Sequence, residues 1–220
     1  MIAEDLINNI IPSLKTTDRV EDALEWMDEF RVCHLPIIFE QEYLGLISEN
    51  QLFDLPDTSR AIGSYKLNLD RPHASANQHI FDVVKNLGER KLTVIPILDE
   101  EENYLGLTSS VDIIEHLSRL ACFNEPGGII ILTMNVRDYS FSEIARIVES
   151  NDCKILSSHV ASSAASSQLE LVLKLNKTDL TRIIASFERF EYNVKASYHE
   201  STFDDDLKHR YNSFMNYLKL

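Results

Sequence analysis

Disulfide chemistry has little to work with in this chain, because 220 residues contain three cysteines, Cys33, Cys122 and Cys153. They are odd in number, far apart and without a CxxC, which excludes a disulfide framework and suits a reducing cytosol. Positive charge is also short, with 21 Lys and Arg against 35 Asp and Glu and a formal net charge of −14. That balance repels polynucleotides and anionic head groups, so neither nucleic acid nor a membrane is an expected partner. A local cluster of donors still leaves small anions open. Long apolar runs are missing too. The stretch around "IIILTM" is too short to span a bilayer, and "MIAEDLINNI" lacks the basic start and apolar run of a secretory signal. The expectation is a cytoplasmic protein.

Catalytic signatures are equally absent. The seven histidines are scattered without HxH or HExxH spacing, so no metal site is expected. "EPGG" is followed by no GKS or GKT and reads as a domain junction. Ser and His meet in "SSHVASSAASSQ" without a GxSxG elbow. No catalytic residue is assigned, and the chain is read as a non-enzyme. What is present is ordinary globular material, 44% hydrophobic and 25% charged, enough for one or two domains with a real core.

It is also written twice. At an offset of 60, Pro12 meets Pro72, Asp22 meets Asp82, Glu29 meets Glu89 and Pro36-Ile37 meets Pro96-Ile97. One extra residue then moves the offset to 61, aligning "YLGLISENQL" (43–52) with "YLGLTSSVDI" (104–113). Each copy predicts β-α-β-β-α: a helix after Asp18 as N-cap, a short apolar strand carrying the proline, an acidic turn, and a strand passing at Ser48 or Ser109 into a short helix. Neither copy alone buries both faces of so small a sheet. After "EPGG" the order becomes β-α-β-β-α-β, the split βαβ or ferredoxin-like arrangement. Its helices are "SFSEIARIVES", with Ser140 and Glu143 as a capping box, and "TDLTRIIASFERF", capped by Thr178 or Asp179. "FDDDLKHRYNSFMNYLKL" follows with one apolar helical stripe. The fold class is therefore α+β, with boundaries at 1–60, 61–124, 125–200 and 201–220.

The duplicated helix, the "LPII"/"IPIL" strands and the GxxSxxx helix entry resemble a tandem pair of CBS domains, a Bateman module, and 128–198 resembles an ACT domain. The order is similar to bacterial acetoin-utilisation-type CBS/ACT proteins. The resemblance implies regulation: an adenosine-containing ligand (AMP, ADP, ATP or S-adenosylmethionine) in the cleft between repeats, with no required cofactor. It implies a homodimer and an unknown regulated partner. The Ser three residues after the glycine is implied to meet phosphate, and the Asp six residues after it the ribose hydroxyls. The second repeat matches both, at Ser109 and Asp112. The first matches only Ser48, because Gln51 stands at the ribose position. A carboxylate accepts two hydroxyls at once, whereas Gln51 has one acceptor oxygen and a donor, so the second site is expected to dominate. Simple helix capping is the alternative use of both serines. The strand entry adds His34, Thr93 and Val94 as cleft-lining candidates, with burial at the repeat interface the other use for His34. Arg31 and Lys91 follow helices and suit either the C-terminal dipole or a phosphate. In the ACT-like segment no glycine lies between Val136 and Glu143, and Arg137, Asp138 and Tyr139 bring bulk, which favours dimerisation over amino-acid binding. The final helix serves either its own domain, a sister subunit or a target.

Overall fold

Helical spacing of Val20, Ala23 and Met27, and of Ile80, Val83 and Leu87, becomes two helices that bury these six side chains. The computed structural model describes residues 1–162 and 167–198. The helix expected over 201–220 lies outside the described residues. The chain divides into two compact units, Met1–Ser118 and Arg119–Leu220.

The first unit holds both repeats. Repeat one runs β1 (Leu14–Lys15), α1 (Val20–Glu29), β2 (His34–Phe39), β3 (Glu42–Ser48) and α2 (Glu49–Phe53). Repeat two runs β4 (Ala74–Ser75), α3 (Ile80–Arg90), β5 (Val94–Leu98), β6 (Tyr104–Ser109) and α4 (Ser110–Ser118). Each forms a three-stranded sheet, β1-β2-β3 and β4-β5-β6, with a parallel then an antiparallel pairing. Even the irregularities repeat: the β2/β3 register slips after Ile37 and the β5/β6 register after Ile97. Those slips absorb unequal strand lengths while keeping His34 opposite Ser48 and Val94 opposite Ser109.

The residues ahead of each repeat pack on the other repeat. Ala3 and Leu6, in a 3₁₀ turn, are buried with Ile80, Val83, Leu87, Ile95 and Ile113 of repeat two. Ile62 is buried with Leu14, Val20, Met27 and Leu35 of repeat one, and Leu67 and Leu69 pack against that core. Each lead-in then crosses the last strand at a glycine. A Cβ at Gly45 would lie 2.5 Å from Leu69 Cβ, and one at Gly106 would lie 2.5 Å from Ile7 Cγ2. Val94 and Leu107 of repeat two belong to the same core as repeat one. Neither repeat closes its core without the other.

Local capping differs from expectation in three places. Helix α1 starts after Arg19, not Asp18, whose carboxylate instead accepts from the Lys15 amide at 2.7 Å. Arg31 and Lys91 follow α1 and α3 with φ of 56° and 54°, the left-handed geometry that ends helices. The other two departures, at Ser140 and at Thr178 or Asp179, are in the second unit.

The second unit contains α5 (Ala121–Asn124), β7 (Ile129–Asn135), α6 (Phe141–Glu149), β8 (Ile155–Ser162), β9 (Gln168–Leu175), α7 (Thr181–Arg189) and β10 (Asn193–Tyr198). Its antiparallel sheet has the order β10-β7-β9-β8, the ferredoxin-like arrangement that the element order predicts. Alternate residues Ile130, Leu132, Leu171 and Leu173 meet Ile144, Ile147, Ile183 and Phe187 of α6 and α7 in one core. Ser140 precedes α6 but caps it with no side-chain hydrogen bond. Its hydroxyl lies 3.2 Å from Ser142 Oγ, while Glu143 accepts from Tyr192 Oη at 3.0 Å. A tertiary partner has taken the carboxylate that a capping box needs. Helix α7 follows Leu180, with Asp179 accepting from the Thr181 amide at 3.0 Å.

Candidate functional site

Both strand-to-helix junctions are closed by the same exchange. Ser48 Oγ accepts from the Gln51 amide at 3.3 Å, and Gln51 Oε1 accepts from the Ser48 amide at 2.9 Å and hydroxyl at 3.0 Å. In repeat two Ser109 Oγ accepts from the Asp112 amide at 3.1 Å, and Asp112 Oδ2 accepts from the Ser109 amide at 3.0 Å and hydroxyl at 2.7 Å. Glutamine and aspartate therefore do the same capping work. Ser109 is buried, whereas Ser48 is half-exposed.

The crossing lead-ins bring two further polar side chains to these junctions. Asn8 lies against Leu107 and Asp70 against Leu46, at equivalent bridges. Asn8 Nδ2 donates to Asp112 Oδ1 at 2.8 Å. Burial pushes the Asp112 pKa up, but donation by Ser109 and Asn8 outweighs it and holds the carboxyl below its usual value. In repeat one Gln51 Nε2 donates to the Asn68 carbonyl at 3.3 Å, and the carboxylate is on the lead-in, at Asp70. The acid and the amide have changed places between the two sites.

The first junction opens on a cleft of about 460 Å³ lined by residues of both repeats. His34, Leu46, Ser48 and Gln51 come from repeat one, Asp70 and Pro72 from the lead-in, and Arg90 and Leu92 from the end of α3 and beyond. Thr93 fixes one wall: its hydroxyl accepts from the Cys33 amide at 2.9 Å and lies 3.0 Å from His34 Nδ1, which also accepts from the Thr93 amide at 3.3 Å. His34 is half-buried, and burial lowers its pKa. Of the candidate residues, His34, Ser48 and Gln51 share this cleft. Thr93 orients His34, Val94 is fully buried, and Ser109 and Asp112 occupy the equivalent place beside β6. Asp70, Arg90 and Asn8 were not among the candidates.

No family model matches the chain. Among solved structures, the chain is similar to a CBS domain pair/ACT domain protein from Thermotoga maritima, at 19% identity and a TM-score of 0.47 over 53% of this chain and 96% of that one. It is similar to the CBS domains of a transcriptional regulator from Streptococcus pneumoniae, at 19% identity and a TM-score of 0.46 over 52% and 98% of the two chains. CBSX2, solved in complex with AMP, is similar at 19% identity and a TM-score of 0.45 over 53% and 95%.

In the second unit a cavity of about 420 Å³ is lined by Asn135, Asp138, Glu143, Tyr192 and Asn193 among others. Burial, with the Glu143 carboxylate beside it, pushes the Tyr192 phenol up to about 12. Among the described residues no group of three or more His, Cys, Asp or Glu is placed to hold a metal ion. No described helix is long and apolar enough to cross a membrane.

Proposed function

We propose that the repeat pair is a non-catalytic regulatory module that takes up an adenosine-containing ligand, AMP, ADP, ATP or S-adenosylmethionine, between its repeats and relays the occupied state to a partner protein. The supporting observation is the cleft of about 460 Å³ walled by both repeats. Leu46, Pro72 and Leu92 offer apolar surface for a base, while Arg90 and His34 offer donors toward phosphate. A ligand that touches β3 and the end of α3 together favours one arrangement of the repeats, which is what coupling requires. The ligand is regulatory, not a resident cofactor. We place the protein in the cytoplasm as a homodimer, joined through β8, one of the two edge strands of the second sheet.

A second reading, a dimeric scaffold whose cleft takes no ligand, has one observation in its favour. Ser48 and Ser109 are fully employed as helix caps. Titration calorimetry with AMP, ADP, ATP and S-adenosylmethionine decides between them. Saturable heat with at least one of the four is expected, and heat with none would leave the scaffold.

A further inference from the structure

We infer that Asp70, carried by the lead-in to the second repeat, is the carboxylate that grips a vicinal diol in the first-repeat cleft. This rests on the proposal that the cleft takes an adenosine-containing ligand, and it names the residue that selects a ribose.

Judged by Gln51 alone, the first junction lacks a diol acceptor. The crossing lead-ins change that conclusion. Asn8 and Asp70 occupy equivalent bridges, to Leu107 and Leu46. At the second junction the acid Asp112 is on the helix and the amide Asn8 on the lead-in, and the two are hydrogen-bonded at 2.8 Å. At the first junction the amide Gln51 is on the helix and the acid Asp70 on the lead-in, and both line one cleft. Each junction thus holds one carboxylate and one carboxamide.

The consequences for a ligand are unequal. Asp112 already accepts from the Ser109 amide, the Ser109 hydroxyl and Asn8. Asp70 is tied to its strand through its backbone, whose carbonyl accepts from the Leu46 amide at 2.9 Å, and its residue is exposed to the cleft. An ionised carboxylate so placed accepts two adjacent hydroxyls, a geometry that a single amide oxygen does not match. Arg90, on the same cleft, supplies the fixed positive charge for a phosphate. Acid and cation together fit a ribonucleoside 5′-phosphate and disfavour its dideoxy counterpart.

The test is calorimetry of the full chain with AMP and with 2′,3′-dideoxyadenosine monophosphate. Wild type is expected to bind AMP about tenfold more tightly. Asp70→Asn and Asp70→Ala both keep the backbone carbonyl that Leu46 uses, and matching thermal melts check that they fold. Both are expected to weaken AMP to the level of the dideoxy compound and to leave the latter unchanged. Discrimination that survives both substitutions, or that wild type never shows, overturns the role of Asp70 while leaving the regulatory module standing. Absence of binding by wild type to AMP, ADP, ATP and S-adenosylmethionine removes both.

Discussion

His34 Nδ1 accepts from the amide of Thr93, 59 residues away in the chain and 3.3 Å distant in space. The Thr93 hydroxyl, 3.0 Å from the same nitrogen, completes a link between the two copies. Both donors need an unprotonated Nδ1, so the neutral ring carries its proton on Nε2.

Acid should loosen this link. Burial lowers the folded-state pKa of His34 below its ordinary 6.5, so the unfolded chain takes up the proton first. The ring's contribution is complete above pH 6.5 and is lost as the pH falls through the folded-state value. Arg90, on the same cleft, opposes protonation and Asp70 favours it. The urea midpoint of wild type should fall from about pH 7 to pH 5. In His34→Asn, whose amide oxygen accepts without titrating, this segment of the profile should flatten. Parallel profiles for the two proteins would exclude the imidazole as the cause.

The Asn8–Asp112 pair predicts a charge-swap experiment. Asn8→Asp sets a second carboxylate against Asp112 and should cost about 1–3 kcal/mol at pH 7, for a lost charge-assisted bond and added repulsion. Adding Asp112→Gln recreates the acid and amide placement seen at Asp70 and Gln51, and should recover most of the loss. Urea unfolding of wild type, both single variants and the double variant gives the coupling directly. Additive losses would mean that the two side chains are independent.

The repeat, its element order and the ferredoxin-like order of the second unit were legible because hydrophobic period and identity survive there. Ser48 and Ser109 were legible as junction residues for the same reason. Asn8 and Asp70 were not, since both sit in segments without periodicity and Asn8 meets a partner 104 residues away. An offset of 62, two residues beyond that of Pro12 and Pro72, aligns them and shows acid facing amide in the reverse sense. The expected dominance of the second site rested on Gln51 against Asp112 alone, without the lead-in residues. Asp18 and Ser140 do not cap as expected, because a turn at Lys15 and Tyr192, just ahead of β10, compete for the side chains involved.

Glycine at the two crossings is required by contact. Gly45 has φ of 155°, and a Cβ there would meet Leu69 Cβ at 2.5 Å and the Asp70 carbonyl at 3.0 Å. At Gly106 the three nearest atoms all belong to the Ile7 side chain, Cγ2 also at 2.5 Å. Both Gly→Ala variants should be destabilised, by about 1–3 kcal/mol for overpacking, with Gly45→Ala the worse because backbone must move. Equal urea midpoints for Gly45→Ala and wild type would show that the lead-in does not hold this path in solution.

The exchange of lead-ins makes one repeat report on the other. Trp26, the single tryptophan, packs against the core of repeat one. Leu6 is 1% exposed in the core of repeat two. Were the repeats independent, cutting a cavity at Leu6 would leave Trp26 undisturbed. Val94 and Leu107 instead tie the second sheet into the first core, so the pair should unfold as one cooperative body. Leu6→Ala should therefore lower the Trp26 fluorescence midpoint in urea by the equivalent of about 2–5 kcal/mol, as Leu14→Ala within repeat one should. A Trp26 transition unmoved by Leu6→Ala but shifted by Leu14→Ala would separate the repeats, and would remove the mechanical basis for a ligand in one cleft to be felt across both.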